Sequence, residues 1–211
     1  SAGASGAAGD IEVLAASVTV SDSTGTAGQT GITSASTGAG VAGKAGSIKV
    51  TADTLTLVNG GLVEATTKDG DGPDADGDGL RDGGSIELAV NALSLSPDAQ
   101  VTASTDGAGN GGSITIRDRN TTTPLDLVID APNINTSTSG SGAAGSLNLV
   151  ADTVTVSGPA GLLASSSTGT GSTAGKAGNV TVTAQTLSLT GGGQIAATTV
   201  DGDGPDGADT D

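Results

Sequence analysis

The densest group of side chains that could do chemistry is an acidic segment at residues 69–82, DGDGPDADGDGLRD. Its carboxylates belong to Asp69, Asp71, Asp74, Asp76, Asp78 and Asp82. Carboxylate oxygens at alternate positions are typical calcium ligands, and glycine between them permits the sharp turn that such a site needs. We therefore expect calcium to bind here, with the backbone carbonyl of Leu80 as a further ligand.

A second acidic segment, DGDGPDGADTD, occupies residues 201–211. Its carboxylates belong to Asp201, Asp203, Asp206, Asp209 and Asp211. The two segments together hold 11 of the 23 acidic residues, and their mutual repulsion is costly unless a cation screens it. We expect calcium in this segment too, although its carboxylates are spaced differently. The alternative for both segments is a solvated acidic loop.

Residues 74–82 follow the pattern D-x-D-x-D-G-x-x-D, which resembles the calcium loops of dockerin and thrombospondin type 3 repeats. An EF-hand loop would be closed by a glutamate that binds the ion through both oxygens, but Ser85 stands at that place. The resemblance implies that water or further aspartates, here Asp69 and Asp71, complete the calcium shell.

The elements that must position these segments are copies of one repeated design. The clearest copy, GSIKVTADTLTLVNGGLVEATT, begins at Gly46 and alternates apolar with polar residues in three short bursts. This alternation predicts β-strands, and Asp53 and Asn59-Gly60-Gly61 mark the turns between them. The sequence predicts six such coils, which begin near Gly9, Gly46, Gly84, Gly112, Gly145 and Gly178.

The alternate aliphatic residues of each copy are expected to face a common interior. In the first two strands they are Ile11, Val13, Val18 and Val20, then Ile48, Val50, Leu55 and Leu57, then Ile86, Leu88, Leu93 and Leu95, then Leu147, Leu149, Val154 and Val156, then Val180, Val182, Leu187 and Leu189. In the third strand they are Val63, Val101, Leu162 and Ile195, with Ala65, Ala103, Ala164 and Ala197 two positions on. The degenerate copy from Gly112 keeps Ile114, Ile116, Leu125, Leu127, Ile129 and Ile134. Because no helical period is present, we expect an all-β solenoid with three short strands per coil.

The sequence also contains a longer repeat, which spans four coils. The segment 42–46, AGKAG, recurs at 174–178, and DGDGPD recurs from residue 69 to residue 201. Both recur after four coils, at an offset of 132 residues, so the chain contains about one and a half copies of a four-coil unit. We therefore expect the sequence to be one segment of a longer stack. Either one giant chain or like subunits joined end to end would supply the other coils.

The composition excludes several classes of partner. A formal charge of −16 repels nucleic acid, and the chain has no aromatic residue on which a base could stack. No apolar run is long enough to span a membrane, and no signal peptide is visible. The absence of cysteine excludes disulfides. Acidic, Gly/Thr-rich β repeats favour an extracellular location on a bacterial surface.

The pattern G-[SN]-[IVL]-x-[VIL]-x-A-x-T-[VL]-x-[VL], followed by G-x-[VIL]-x-A-[ST]-[ST], covers nearly the whole chain. It resembles the repeat region of filamentous-haemagglutinin-type exoproteins of two-partner secretion, in particular the repeats of large cyanobacterial surface proteins. The resemblance implies a right-handed parallel β-helix, export, and a structural or adhesive role in a surface fibre. It also implies a cell-surface or polysaccharide receptor as a partner.

Two other functions are alternatives. Polysaccharide-degrading enzymes also use parallel β-helices, but the paired aspartates lie in glycine-rich loops and the chain lacks His, Tyr and Cys, so we expect no catalysis. Ice binding would use an outward ladder of hydroxyl side chains. Its members are Ser17 with Thr19, Thr54 with Thr56, Thr153 with Thr155, and Thr186 with Ser188.

Overall fold

The computed structural model describes residues 6–22, 30–38, 43–69, 82–96, 98–106, 109–120, 126–130, 133–140, 142–158, 162–169 and 175–201. Every regular element within these ranges is a β-strand, so the all-β prediction is confirmed. The described part of the chain forms no helix that is long and apolar enough to cross a membrane.

The strands are short, apart from two that run through ten or eleven residues. In chain order they are β1 (Ile11–Leu14), β2 (Ser17–Ser21), β3 (Gly31–Thr33), β4 (Ser36–Gly38), β5 (Ile48–Val58), β6 (Leu62–Glu64), β7 (Thr67–Asp69), β8 (Ile86–Leu95), β9 (Gln100–Thr102), β10 (Thr105–Asp106), β11 (Ile114–Arg117), β12 (Asp126–Asp130), β13 (Asn133–Asn135), β14 (Leu147–Val150), β15 (Thr153–Ser157), β16 (Leu162–Gly169), β17 (Val180–Thr183), β18 (Thr186–Thr190) and β19 (Gln194–Asp201).

The strands form a ten-stranded, a six-stranded and a three-stranded sheet, and the pairs within them are parallel. The ten-stranded sheet consists of two columns side by side. The long strands β5 and β8 belong to both columns, because β5 pairs with both β1 and β2, and β8 pairs with both β11 and β12. The six-stranded sheet runs from β3 through β6, β9, β13 and β16 to β19.

The register joins each copy of the repeated segment to the next copy. Along the first column the partners are Ile11 with Ile48, Ile48 with Ile86, Ile86 with Ile114, Ile114 with Leu147, and Leu147 with Val180. We call the strands contributed by successive copies layers 1 to 6. They lie within residues 6–38, 43–69, 82–106, 109–140, 142–169 and 175–201.

The core lies between the sheets and consists of stacked aliphatic side chains. In layers 2, 3 and 5 the residues predicted to face inward in the first two strands are 0–1% exposed. The third-strand residues Val63 and Val101 are buried as well, and so is Ile134 of the degenerate copy. The alternation therefore predicted the buried face of these strands correctly.

In the third strand of layer 5 the register differs by one residue from the predicted equivalence of Leu162 with Ile195. Leu163, not Leu162, is paired with Ile195, and Ile134 is paired with Leu163 on the other side. Leu162 is paired with Gln194, and Ala164 is paired with Ala196 rather than with Ala197. A one-residue shift in a strand exchanges its two faces, and two adjacent leucines give the alternation no means of deciding between them.

In layers 2 to 5 the glycine that opens each copy stacks directly on the opening glycine of the copy before it. A Cβ atom on Gly84 would collide with the carbonyl oxygen of Gly46. The same collision would occur between Gly112 and the carbonyl of Gly84. In layer 1, a Cβ on Gly9 would meet nothing within 4 Å. Backbone therefore packs against backbone at this corner, which leaves no room for a side chain between layers.

Candidate functional site

Three of the eleven predicted calcium ligands fall within the described residues. Asp69 ends β7, Asp201 ends β19, and Asp82 precedes the opening glycine of layer 3. The other eight lie outside the described residues: Asp71, Asp74, Asp76, Asp78, Asp203, Asp206, Asp209 and Asp211. Within the part of the chain that is described, no three acidic, histidine or cysteine side chains are grouped so that they could hold a metal.

The buried hydroxyl of Thr67 forms hydrogen bonds next to the first acidic segment. Oγ1 of Thr67 donates to the carbonyl oxygen of Asp82 at 2.7 Å and accepts from the N–H of Ala45 at 3.0 Å. That N–H also approaches the carbonyl of Asp82 at 3.3 Å. Thr67, at the start of β7, and Asp82, just before the opening glycine of layer 3, are therefore held together by a hydrogen bond.

Asp82 also connects layer 3 to layer 4. Its Oδ1 accepts a hydrogen bond from the backbone N–H of Asn110 at 2.8 Å. Oδ1 of Asn110 accepts in turn from the N–H of Ala143 in layer 5, at 2.9 Å. Sequence reasoning treated Asp82 only as a metal ligand. The signal for its structural role is the shared pattern [DN]-G-G, in which Asp82 and Asn110 each precede two glycines.

The Thr67 hydroxyl belongs to a column that sequence reasoning missed. The column places Ser or Thr four residues after the inward aliphatic of the third strand in every layer: Ser36, Thr67, Thr105, Thr138, Ser167 and Thr199. The described contacts are Ser36 to the carbonyl of Gly6 at 3.1 Å, Thr105 to that of Asn110 at 2.7 Å, Thr138 to that of Gly109 at 3.1 Å, and the N–H of Ala177 to Thr199 at 2.8 Å. Each contact fastens a strand to a segment that precedes an opening glycine.

The outer face of the ten-stranded sheet carries the predicted hydroxyl ladder. Ser17 is paired with Thr54, and Oγ1 of Thr54 donates to Oγ of Ser17 at 2.9 Å. Thr153 and Thr186 are likewise paired. Ala92 and Asp126 occupy the same column in layers 3 and 4 and interrupt it. The ladder therefore consists of two short blocks at opposite ends of the stack.

Ion pairs also cross the layers on the outer surface. Lys49 lies 3.4 Å from Glu12, and Arg117 donates to Oε1 of Glu87 through Nη2 at 2.6 Å and Nε at 3.0 Å. These side chains are largely exposed, and such pairs stabilise a fold by less than about 1 kcal/mol each. Their geometry holds neighbouring layers in register without forming a cleft.

One arginine spans three layers. Nη1 of Arg119, in layer 4, lies 2.6 Å from Oδ1 of Asp53 in layer 2. Asn91, in the layer between them, donates through Nδ2 to the same Asp53 oxygen at 3.2 Å. The three side chains form a polar corner where the two columns of the ten-stranded sheet meet, and they brace the degenerate layer 4 against layers 2 and 3.

Comparison with protein-family models, with curated proteins and with solved structures finds no match to this chain. The case for its function therefore depends on the residues and on the layer geometry described above. That geometry fastens layers to one another at the backbone, in the interior and at the outer surface.

Proposed function

We propose that this chain is a structural and adhesive segment of an extracellular bacterial surface fibre or giant exoprotein. It acts without catalysis, as a right-handed parallel β-helix of about six coils. The single observation that supports this function most strongly is the register. Residues paired across layers are equivalent positions of successive repeats along the first column, from Ile11 to Val180.

The order of strands along the chain supports the β-helix. Layer 2 passes from the first column of the ten-stranded sheet to the second within β5, then to the six-stranded sheet in β6 and the three-stranded sheet in β7. Layer 3 repeats that path through β8, β9 and β10. This recurrence of sheets is the order of strands that a solenoid would have, and parallel crossovers are overwhelmingly right-handed.

The proposed task is mechanical. In a solenoid each repeat is stabilised chiefly by its neighbours, so a force along the stack is borne by every interface in series. Here three kinds of contact contribute to an interface: backbone hydrogen bonds between parallel strands, columns of buried aliphatics, and the buried hydroxyl column. A stack with these contacts is suited to a fibre, and its loops remain available for a cell-surface or polysaccharide receptor.

Calcium is the cofactor that we propose for the acidic segments 69–82 and 201–211. The Thr67 tie supports the first site, because it brings the two ends of the segment together and so lowers the entropy lost when carboxylates gather around an ion. A ligand that binds only the folded state stabilises it by about 2.7 kcal/mol at a hundredfold excess over its Kd.

Calorimetry and thermal unfolding in calcium test this site. Replacing Asp74, Asp76 and Asp78 by Ala should remove the calcium heat of the first segment and its share of the gain in unfolding temperature, while the contribution of residues 201–211 stays. A matched control removes three carboxylates elsewhere, those of Glu12, Asp118 and Asp126, and should preserve both signals. No calcium heat at millimolar concentration in the unmodified chain would contradict the site.

The location and the fibre role can be tested on intact cells. Antibodies raised against residues 1–211 should label filaments or the outer surface of unpermeabilised cells under the electron microscope, and external protease should remove that label. Labelling that appears only after the cells are opened would contradict the proposed extracellular function.

Ice binding is a second candidate, favoured by the in-register hydroxyl blocks of layers 1–2 and 5–6. It predicts thermal hysteresis, which replacement of Thr54 and Thr186 by bulky charged residues should abolish. Unchanged freezing behaviour of the unmodified chain would remove this candidate and leave the structural function in place.

A further inference from the structure

Layer 6 exposes apolar side chains whose equivalents in layer 2 are buried. Leu187 and Leu189 of β18 are 48% and 45% exposed. Their equivalents in layer 2, Leu55 and Leu57, are 0% exposed because layer 3 covers them. At the other end of the stack Val20, which corresponds to Leu189, is only 6% exposed. The exposed patch is therefore a feature of the layer 6 surface in particular.

Backbone donors point toward the same open side. In each of layers 1 to 5, the first residue of the first strand donates its N–H to a carbonyl of the next layer, at 2.8–3.0 Å. These bonds are Ile11 to Ser47, Ile48 to Ser85, Ile86 to Ser113, Ile114 to Ser146 and Leu147 to Asn179. Val180 is the equivalent residue of layer 6, and no described layer lies above it. An apolar strip beside such a row of donors is a template for a parallel strand.

Layer 6 also reproduces the conformation of layer 2. In layer 2 the turn after β5 places Asn59 and Gly60 at φ of 51° and 82°. The corresponding turn after β18 places Gly191 and Gly192 at 60° and 94°. In both turns the N–H that closes the turn bonds to the carbonyl three residues back at 3.0 Å. The two layers therefore share the turn geometry and the leucine positions of the strand before it, so they offer a similar apolar surface to the layer that follows.

What lies above layer 2 is layer 3. The carbonyl of Leu57 accepts from Ser96, and that of Gly61 accepts from Gln100, both at 3.0 Å. Leu55 is paired with Leu93. Because equal surfaces select equal partners, we propose that the layer 6 surface docks a layer of the layer 3 type, with the sequence character of residues 82–106. In the docked layer the counterpart of Leu93 lies opposite Leu187.

This inference rests on the proposed stacking function and specifies its partner. It is tested by extending the chain after Asp211 with a second copy of residues 80–106, which preserves the spacing of the repeat. Hydrogen exchange of the Val180 amide is the readout. Docking should slow that exchange by roughly tenfold or more, toward the rate of Leu147, because the amide gains a partner in the added layer.

Two variants of the extended chain serve as test and control. Leu187→Lys with Leu189→Lys places two charges under the added layer and should return Val180 to fast exchange. Val150→Lys introduces a charge at a position that is 43% exposed on the outer face, and it should leave the slow exchange intact. Fast exchange at Val180 in the extended chain, or equal behaviour of the two variants, would overturn the proposal.

Sedimentation of the unextended chain separates this partner from another. Self-association that protects Val180 as concentration rises would show that a second copy of the chain is the occupant, and would overturn the assignment to a layer 3 type. Loss of surface labelling on cells, with Val180 protected in the extended chain, would instead contradict the extracellular function and leave the docking surface established.

Discussion

Replacing equivalent leucines in two different layers separates the contribution of layer stacking to stability from that of the leucine side chain itself. Leu57 and Leu189 occupy equivalent positions, at the end of β5 and within β18, and both precede a turn of the same geometry. Leu57 has a layer on each side and is 0% exposed, whereas Leu189 is covered from one side and is 45% exposed. Changing each to alanine removes the same atoms, but those of Leu57 are packed on all sides and those of Leu189 are partly exposed.

The expected magnitudes follow from this difference. Leucine to alanine removes three carbons, which corresponds to about 2.4 kcal/mol of transfer free energy at about 0.8 kcal/mol per carbon. At Leu57 the closed cavity adds to that loss, so we expect the free energy of unfolding to fall by about 3–4 kcal/mol. At Leu189 about half of the transfer term applies and no closed cavity forms. The expected loss there is about 1.3 kcal/mol.

Urea unfolding followed by far-ultraviolet circular dichroism gives both free energies. The two variants should differ by about 2 kcal/mol, with m-values close to that of the unmodified chain. Equal losses at the two positions would refute the reasoning, because burial between layers would then contribute nothing beyond the side chain itself. A larger loss for Leu189→Ala would show that the layer 6 surface is covered in solution.

Three further predictions use the same unfolding measurement. Gly84→Ala should lower the free energy of unfolding by about 1–3 kcal/mol, because the added Cβ collides with the backbone of layer 2. Gly9→Ala, whose Cβ enters open space, should change it by no more than about 0.5 kcal/mol, and equal effects would contradict the glycine stacking. Thr67→Val removes the two hydrogen bonds that the buried hydroxyl makes, to the N–H of Ala45 and to the carbonyl of Asp82, and should cost about 2 kcal/mol. The control Thr56→Val, on the outer face, should be nearly neutral; two neutral results would show that the buried hydroxyl is dispensable. Arg117→Ala should cost less than about 1 kcal/mol, and a loss that does not shrink in 1 M salt would argue against a surface ion pair.

Alternation of apolar and polar residues predicted the parallel columns because each aliphatic position recurs in the next copy. Ile48, Ile86 and Ile114 are a clear case, since these β-branched residues open equivalent strands and pair in sequence order. The same signal failed where it was degenerate. Two adjacent leucines, Leu162 and Leu163, fit the alternation equally well, and the alternation does not predict that Leu163 is the one paired with Ile134 and Ile195.

The hydroxyl column was missed for a different physical reason. A threonine such as Thr67 or Thr105 has high β-propensity and suits a wet strand face equally well, so composition gives no reason to place it inside. Its role depends on backbone groups that are 15 and 5 residues away along the chain, at Asp82 and Asn110. The calcium hypothesis for the acidic segments stays a prediction, because most of its ligands fall outside the described residues.

These two ties also explain how the stack accommodates segments of very different length. Thr67 closes a segment of 15 residues and Thr105 closes one of 5, yet each ends in a 2.7 Å hydrogen bond to a carbonyl just before an opening glycine. Loop-closure entropy grows only as the logarithm of length, so the threefold longer segment costs about 1 kcal/mol more. One buried hydrogen bond contributes a similar amount. The hydrogen bond of Thr67 therefore offsets the extra closure cost of the longer segment, so the layers accommodate segments of different length at this position.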